Sequence, residues 1–248
     1  MRLKRGRTSN MPAAFRTLLN PDGAATLPVT GAALWLDASD KTTLYTDAGT
    51  TNVVNNDDLV YQWNDLSGNG RHVTQATSGN RPKYKTPANG QNGLSILALS
   101  SSWMKASFTS TNIATVFIVT AETGFTIAME LAGLLPYSSS NYICGRLPSS
   151  TAWNGGDVND FLTNGSSGSI YINNVNTTTN SYQSWKVFNM VRTSALSKSD
   201  FVIGYGGNPS YLRYWAGKIG EVILYPTALS STDRTTVYDY LKAKWNTP

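Results

Sequence analysis

The sequence predicts an all-β fold: a two-sheet antiparallel jelly-roll sandwich with one C-terminal helix and an extended N-terminal arm. Three observations lead there. Short apolar runs rich in β-branched and aromatic residues recur between clusters of Gly, Asn and Pro, as strands between turns do. No helical periodicity falls between those runs, which counts against strand–helix–strand units. Charged residues make up only 14% of the chain, against 7 Trp, 13 Tyr and 21 Gly, a balance that suits half-buried strands and tight turns. At 248 residues the chain is long enough to bury a substantial core as one large β domain.

Residues 1–30 read as arm and connector, and residues 31–248 as the folded body. Residues 1–20 carry Arg2, Lys4, Arg5, Arg7 and Arg16 and no acid, so they account for the whole net charge of +5 and leave the remaining residues neutral. Ala13, Ala14, Phe15, Leu18 and Leu19 form an apolar patch of one or two helical turns that needs a surface to pack on. Arg2, Lys4, Arg5, Arg7, Phe15 and Leu18 are therefore the candidate partner-binding residues, acting by long-range attraction and then by contact. The arm is too short, and too poor in interleaved aromatics, for a nucleic-acid module. No apolar stretch follows its positive charge, which argues against a secretory leader. No run of 18 apolar residues marks a membrane-spanning helix.

In the body, strands are expected at 33–36, 59–63, 94–99, 115–120, 125–131, 169–175, 185–192, 201–205 and 218–225. Asp65-Leu66-Ser67-Gly68-Asn69-Gly70 closes the second as a turn cluster, with side chains that bond the local backbone and glycines that accept positive φ. Helix signals come only at the end. Ser230 and Asp233 resemble a capping box, Val237, Leu241 and Trp245 make an apolar stripe, and Lys242 and Lys244 sit in the last turn, where the helix dipole favours cations. Trp35, Trp63, Trp185 and Trp215 belong in the core by their strand patterns, and Trp245 anchors the helix.

Three blocks together resemble the concanavalin A-like lectin/glucanase superfamily, in particular its laminin-G-like branch in phage and bacterial surface proteins. They are Ala33–Ser39; Val60–His72 with Gln75 and Arg81-Pro82; and Trp215–Tyr225 followed by Ala228-Leu229-Ser230 and the helix through Trp245. The match spans roughly residues 31–246. One departure is Leu97-Ala98-Leu99-Ser100-Ser101-Ser102, where the family runs into Phe-Asp-Gly. The resemblance implies a two-sheet jelly roll, and its members range over sugar binding, adhesion, hydrolysis and structural roles.

The residues themselves narrow the chemistry. Glycoside hydrolysis needs two carboxylates across a cleft, yet the only Glu residues are Glu122, Glu130 and Glu221. The Glu-x-Asp-x-Glu strand that marks the family's glucanases is absent, and Glu221, inside an apolar strand, reads as structural. His72 and Cys144, the sole histidine and cysteine, lack any sequence reason to meet as a dyad. They also exclude an internal disulfide or a thiolate zinc site. No catalytic residue, metal ligand or cofactor is assigned. Calcium stays open through the oxygen-rich stretches 52–58 and 154–160. Sugar binding needs an exposed aromatic beside amides and carboxylates. Trp153, Asn154 and Asp157 supply this, with Tyr142 and Tyr211 as neighbours, and are the candidate ligand-binding residues.

The leading expectation is thus a non-enzymatic structural or adhesive phage virion component, capsid-decorating or tail-associated, assembled in the host cytoplasm and exposed on the particle. Its expected partners are virion shell or tail proteins, further copies of itself and a host-surface glycan. The first alternative is a free or cell-surface carbohydrate-binding protein; the second is a glycoside hydrolase.

Overall fold

The computed structural model describes residues 26–123, 129–135, 142–146, 153–154, 168–177, 183–206 and 213–248. At 129–130, 135, 142–146 and 153–154 it describes the backbone alone. In chain order the strands are β1 (Leu34–Asp37), β2 (Leu44–Tyr45), β3 (Gln62–Trp63), β4 (Val73–Thr74), β5 (Lys83–Lys85), β6 (Ile96–Leu99) and β7 (Met104–Glu122). They continue with β8 (Met129–Leu135), β9 (Tyr142–Arg146), β10 (Trp153–Asn154), β11 (Gly168–Ile172), β12 (Val175–Asn176), β13 (Lys186–Ile203) and β14 (Gly217–Tyr225). One helix, α1 (Ser231–Trp245), follows. The all-β sandwich with a C-terminal helix is therefore the architecture observed.

Two strands are long enough to serve both layers. The first half of β13 pairs with β11 and with Thr115–Thr120 of β7, and its second half pairs with β8 and with Met104–Ser107. Register shifts between Val191 and Leu196 and between Lys198 and Asp200 are bulges that bend the pair from one sheet into the other. One sheet then runs β12–β11–β13–β7–β14, with β1 and β6 along the far edge of β14 and β5 beyond β6. The other runs β10–β9–β8–β13–β7–β4–β3–β2. The expected strands 185–192 and 201–205 are thus one continuous strand, and 59–63 contracts to Gln62–Trp63.

The first sheet is covered on both faces, which is why its strands read as unbroken apolar runs. Leu34, Leu36, Val116, Ile118, Phe188, Met190, Val222 and Leu224 point into the core between the sheets, with Trp63, Met104, Phe201 and Ile203 from the second sheet. The alternate positions Trp35, Phe117, Val119, Val187, Ile223 and Tyr225 meet Val237, Tyr238, Tyr240, Leu241 and Trp245 of the helix. Leu27 and Val29 pack on the same side.

The helix forms where expected. The Ser230 side chain accepts the Asp233 N–H at 3.1 Å, and its C-terminal carbonyls at Lys244 and Trp245 accept the Asn92 and Gln91 amides, both at 2.9 Å. Among the described residues, no helix is long and apolar enough to cross a membrane.

Candidate functional site

The most recognisable sequence blocks turn out to be architecture. Asp65 is a buried knot: Oδ1 accepts the N–H groups of Trp35 (3.0 Å) and Ser67 (2.9 Å), and Oδ2 accepts Ser67 Oγ (2.8 Å) and Arg71 N–H (3.0 Å). Arg71 donates to the Ala33 carbonyl at 2.6 Å, so the turn cluster is stitched to β1. The sole histidine, His72, accepts the Asp65 N–H through Nδ1 at 3.0 Å.

A charged cluster lies between the first sheet and the helix. Asp37 and Glu221 are register neighbours on β1 and β14, and both are buried with Lys244. Lys244 Nζ donates to Asp37 Oδ2 at 2.5 Å and to Glu221 Oε2 at 2.8 Å. Glu221 also accepts Trp35 Nε1 (2.7 Å), Tyr240 Oη (2.8 Å) and Trp245 Nε1 (2.8 Å). Burial, with Asp37 close by, pushes the Glu221 carboxyl above its ordinary range although Lys244 pulls it down. Burial pulls Lys244 down, but the two carboxylates outweigh it and raise its pKa. Burial likewise raises the Tyr240 hydroxyl. The last-turn lysine thus holds two strands together from beneath the helix, and Glu221 is structural, with every oxygen engaged.

A second ion pair, Lys186 with Glu122 at 2.5 Å, joins the start of β13 to the end of β7 with both side chains buried. Trp185 beside it stacks on Trp245, with centroids 6.2 Å apart and planes 13° apart. Glu130 lies on β8, where only its backbone is described.

In the first calcium candidate, 52–58, the structure engages several side chains in hydrogen bonds and an ion pair. Asp58 Oδ2 accepts the N–H groups of Val54 and Asn55, and Asp57 pairs with Lys85 at 2.6 Å. Asn52 caps the carbonyls of Thr42 and Leu44, both at 3.0 Å. No cluster of three metal-ligating side chains occurs among the described residues. Of the second candidate, 154–160, all but Asn154 lie outside them.

Of the expected ligand-binding residues, Tyr142 lies on β9, and Trp153 and Asn154 form the two-residue strand β10, the last strand of the second sheet among the described residues. In register, Tyr142 faces Gly133, Trp153 faces Arg146 and Asn154 faces Gly145. The backbone therefore gathers these three onto adjacent strands. Asp157 and Tyr211 lie outside the described residues, as do Arg2, Lys4, Arg5, Arg7, Phe15 and Leu18.

One aromatic group escaped the sequence reading. Trp103, just before β7, Tyr205, just after β13, and Tyr214, just before β14, are each partly exposed. Trp103 and Tyr205 lie 6.2 Å apart with planes at 51°, and Tyr205 and Tyr214 lie 5.4 Å apart at 36°. Two backbone constraints fix the row. Tyr205 and Tyr214 form an isolated antiparallel bridge. Gly204 adopts φ +88°, and a Cβ there would sit 2.4 Å from the Ser102 carbonyl. The signal in the sequence was weak: three single aromatics, each abutting a strand end.

No family model matches the sequence, and no curated protein matches it. Solved structures do share its fold. The Trypanosoma rangeli sialidase in complex with difluoro-KDN superposes with a TM-score of 0.51 at 12% identity, covering 88% of this chain and 34% of that one. The same sialidase with sialic acid gives 0.50 at 12% identity, covering 89% and 35%. A GH54 α-L-arabinofuranosidase variant soaked with 4-nitrophenyl α-L-arabinofuranoside gives 0.49 at 16% identity, covering 90% and 61%. The chain thus spans about a third of the length of the sialidases it matches. At these identities the likeness establishes a β-sandwich of jelly-roll type.

These neighbours correct the leading expectation. The solved structures that share its fold at a TM-score of 0.50 or more are those of a sialidase, an enzyme, so the expectation of a non-enzymatic virion component is contradicted. The virion and capsid assignments, with their shell or tail partners and homo-oligomer, have no support. The physical reason for the error is plain: a jelly roll and a basic arm are compatible with many roles, and neither specifies one.

Proposed function

We propose that this chain is a carbohydrate-binding protein built on a concanavalin A-like jelly roll. The observation that carries the reading is the placement of Tyr142, Trp153 and Asn154 on the adjacent strands β9 and β10. An aromatic residue supplies a flat apolar face for the C–H side of a sugar ring, and an amide supplies donors and acceptors for its hydroxyls. The sialidase bound to sialic acid shows the same fold within a carbohydrate-binding protein, which favours a sugar over other small polar ligands. Asp157 and Tyr211 complete the proposed set, and the sequence blocks around Trp35, Trp63 and Trp215 support the superfamily assignment.

The test is retention of the intact chain on an array of immobilised neutral, pentose-containing and sialylated oligosaccharides. Trp153→Ala is expected to weaken binding by about tenfold or more, the size of a contact-centre aromatic. A chain that binds no carbohydrate on the array defeats the proposal.

A further inference from the structure

Resting on that reading, we infer that Trp103, Tyr205 and Tyr214 form a separate glycan subsite, a twisted aromatic row that takes a single oligosaccharide strand.

Three observations point this way. First, the rings touch in sequence, at 6.2 Å and 5.4 Å, so they form one continuous strip. Second, successive planes are rotated by 51° and 36°. A flat, packed polysaccharide surface needs coplanar rings. A rotated set follows a chain whose successive sugars turn about its axis, with each ring meeting the C–H face of a different sugar. Third, the strip is held rigidly. Trp103 N–H donates to the Asn80 carbonyl at 3.0 Å, the Trp103 carbonyl accepts the Gln75 amide at 3.0 Å, and Trp215 N–H donates to the Gly204 carbonyl at 2.9 Å. A site fixed by backbone contacts on strand ends loses little entropy when it binds.

The surroundings favour a sugar over a protein. Among the described residues the only large exposed aliphatic side chains are Val54 and Val175, so no described side chain of that kind extends the row into the broad apolar patch that protein interfaces bury.

The experiment compares the intact chain with Trp103→Ala, Tyr214→Ala and Trp103→Phe on the same oligosaccharide array, with near-ultraviolet circular dichroism as the control of folding. The expected result is a loss of about tenfold or more in retention for both alanine variants, with binding largely kept by Trp103→Phe. Binding by both alanine variants equal to the parent overturns the subsite and leaves the reading at β9 and β10 standing. A parent that binds nothing overturns both. Should Trp103→Ala fold poorly, Tyr214→Ala alone decides. Concentration-dependent self-association of the parent that the alanine variants abolish, without any loss of carbohydrate binding, identifies the row as a contact between copies and overturns the inference.

Discussion

The helix side of the first sheet and the aromatic row at the strand ends use the same kinds of residue for opposite purposes. Around Glu221, two indoles, a phenol, a carboxylate and an ammonium are buried and bonded to one another until no oxygen of Glu221 is left for a ligand. At Trp103, Tyr205 and Tyr214, aromatic rings stay partly exposed and are fixed through their backbone. Burial with full pairing makes a fastener, and partial exposure on a rigid base makes a surface that can bind. An aromatic and charged composition alone does not tell the two apart.

The contrast predicts a graded set of effects. Lys244→Met leaves Asp37 and Glu221 side by side without their cation, and should cost about 3–5 kcal/mol, as does removing one partner of a buried pair. Denaturant unfolding reads this, and a loss under about 1 kcal/mol would show that the cluster is not a fastener. Gly220→Ala places a Cβ 2.9 Å from the Trp245 ring, and overpacking of this kind costs about 1–3 kcal/mol. Ser230→Ala removes the helix cap and should cost about 1 kcal/mol, visible as a lowered melting temperature. Tyr214→Ala, on the exposed side of the comparison, should shift stability by less than about 1 kcal/mol while weakening glycan retention.

Acidity sharpens the same contrast. Lys244 holds its proton more tightly folded than its ordinary value of 10.5. Its stabilising contribution is therefore complete below that value and is lost as pH rises through the raised one. Tyr240, also raised, acts in the same direction. Melting temperature should fall at alkaline pH, and less steeply in Lys244→Met; equal slopes would refute the assignment.

The sequence announced what is local. The Asp65 turn was readable because its bonds lie within seven residues, apart from those that reach Ala32, Ala33 and Trp35. The helix was readable from its cap and stripe. The role of Lys244 was not, because its partners lie 23 and 207 residues away and a last-turn lysine ordinarily faces water. The aromatic row was hidden for the same reason: a chain bend brings together one residue before β7, one after β13 and one before β14. Tyr142 and Trp153 stand out by type alone, and only the pairing of β9 with β10 places them on adjacent strands.

The most direct measurement is carbohydrate retention and melting temperature taken together for the parent, Lys244→Met, Trp153→Ala and Tyr214→Ala. The account predicts that the parent binds, that Lys244→Met loses stability but binds while folded, and that Trp153→Ala and Tyr214→Ala stay stable and bind weakly. A parent without carbohydrate binding, or a folded Lys244→Met that has lost it while Trp153→Ala keeps it, would contradict the account.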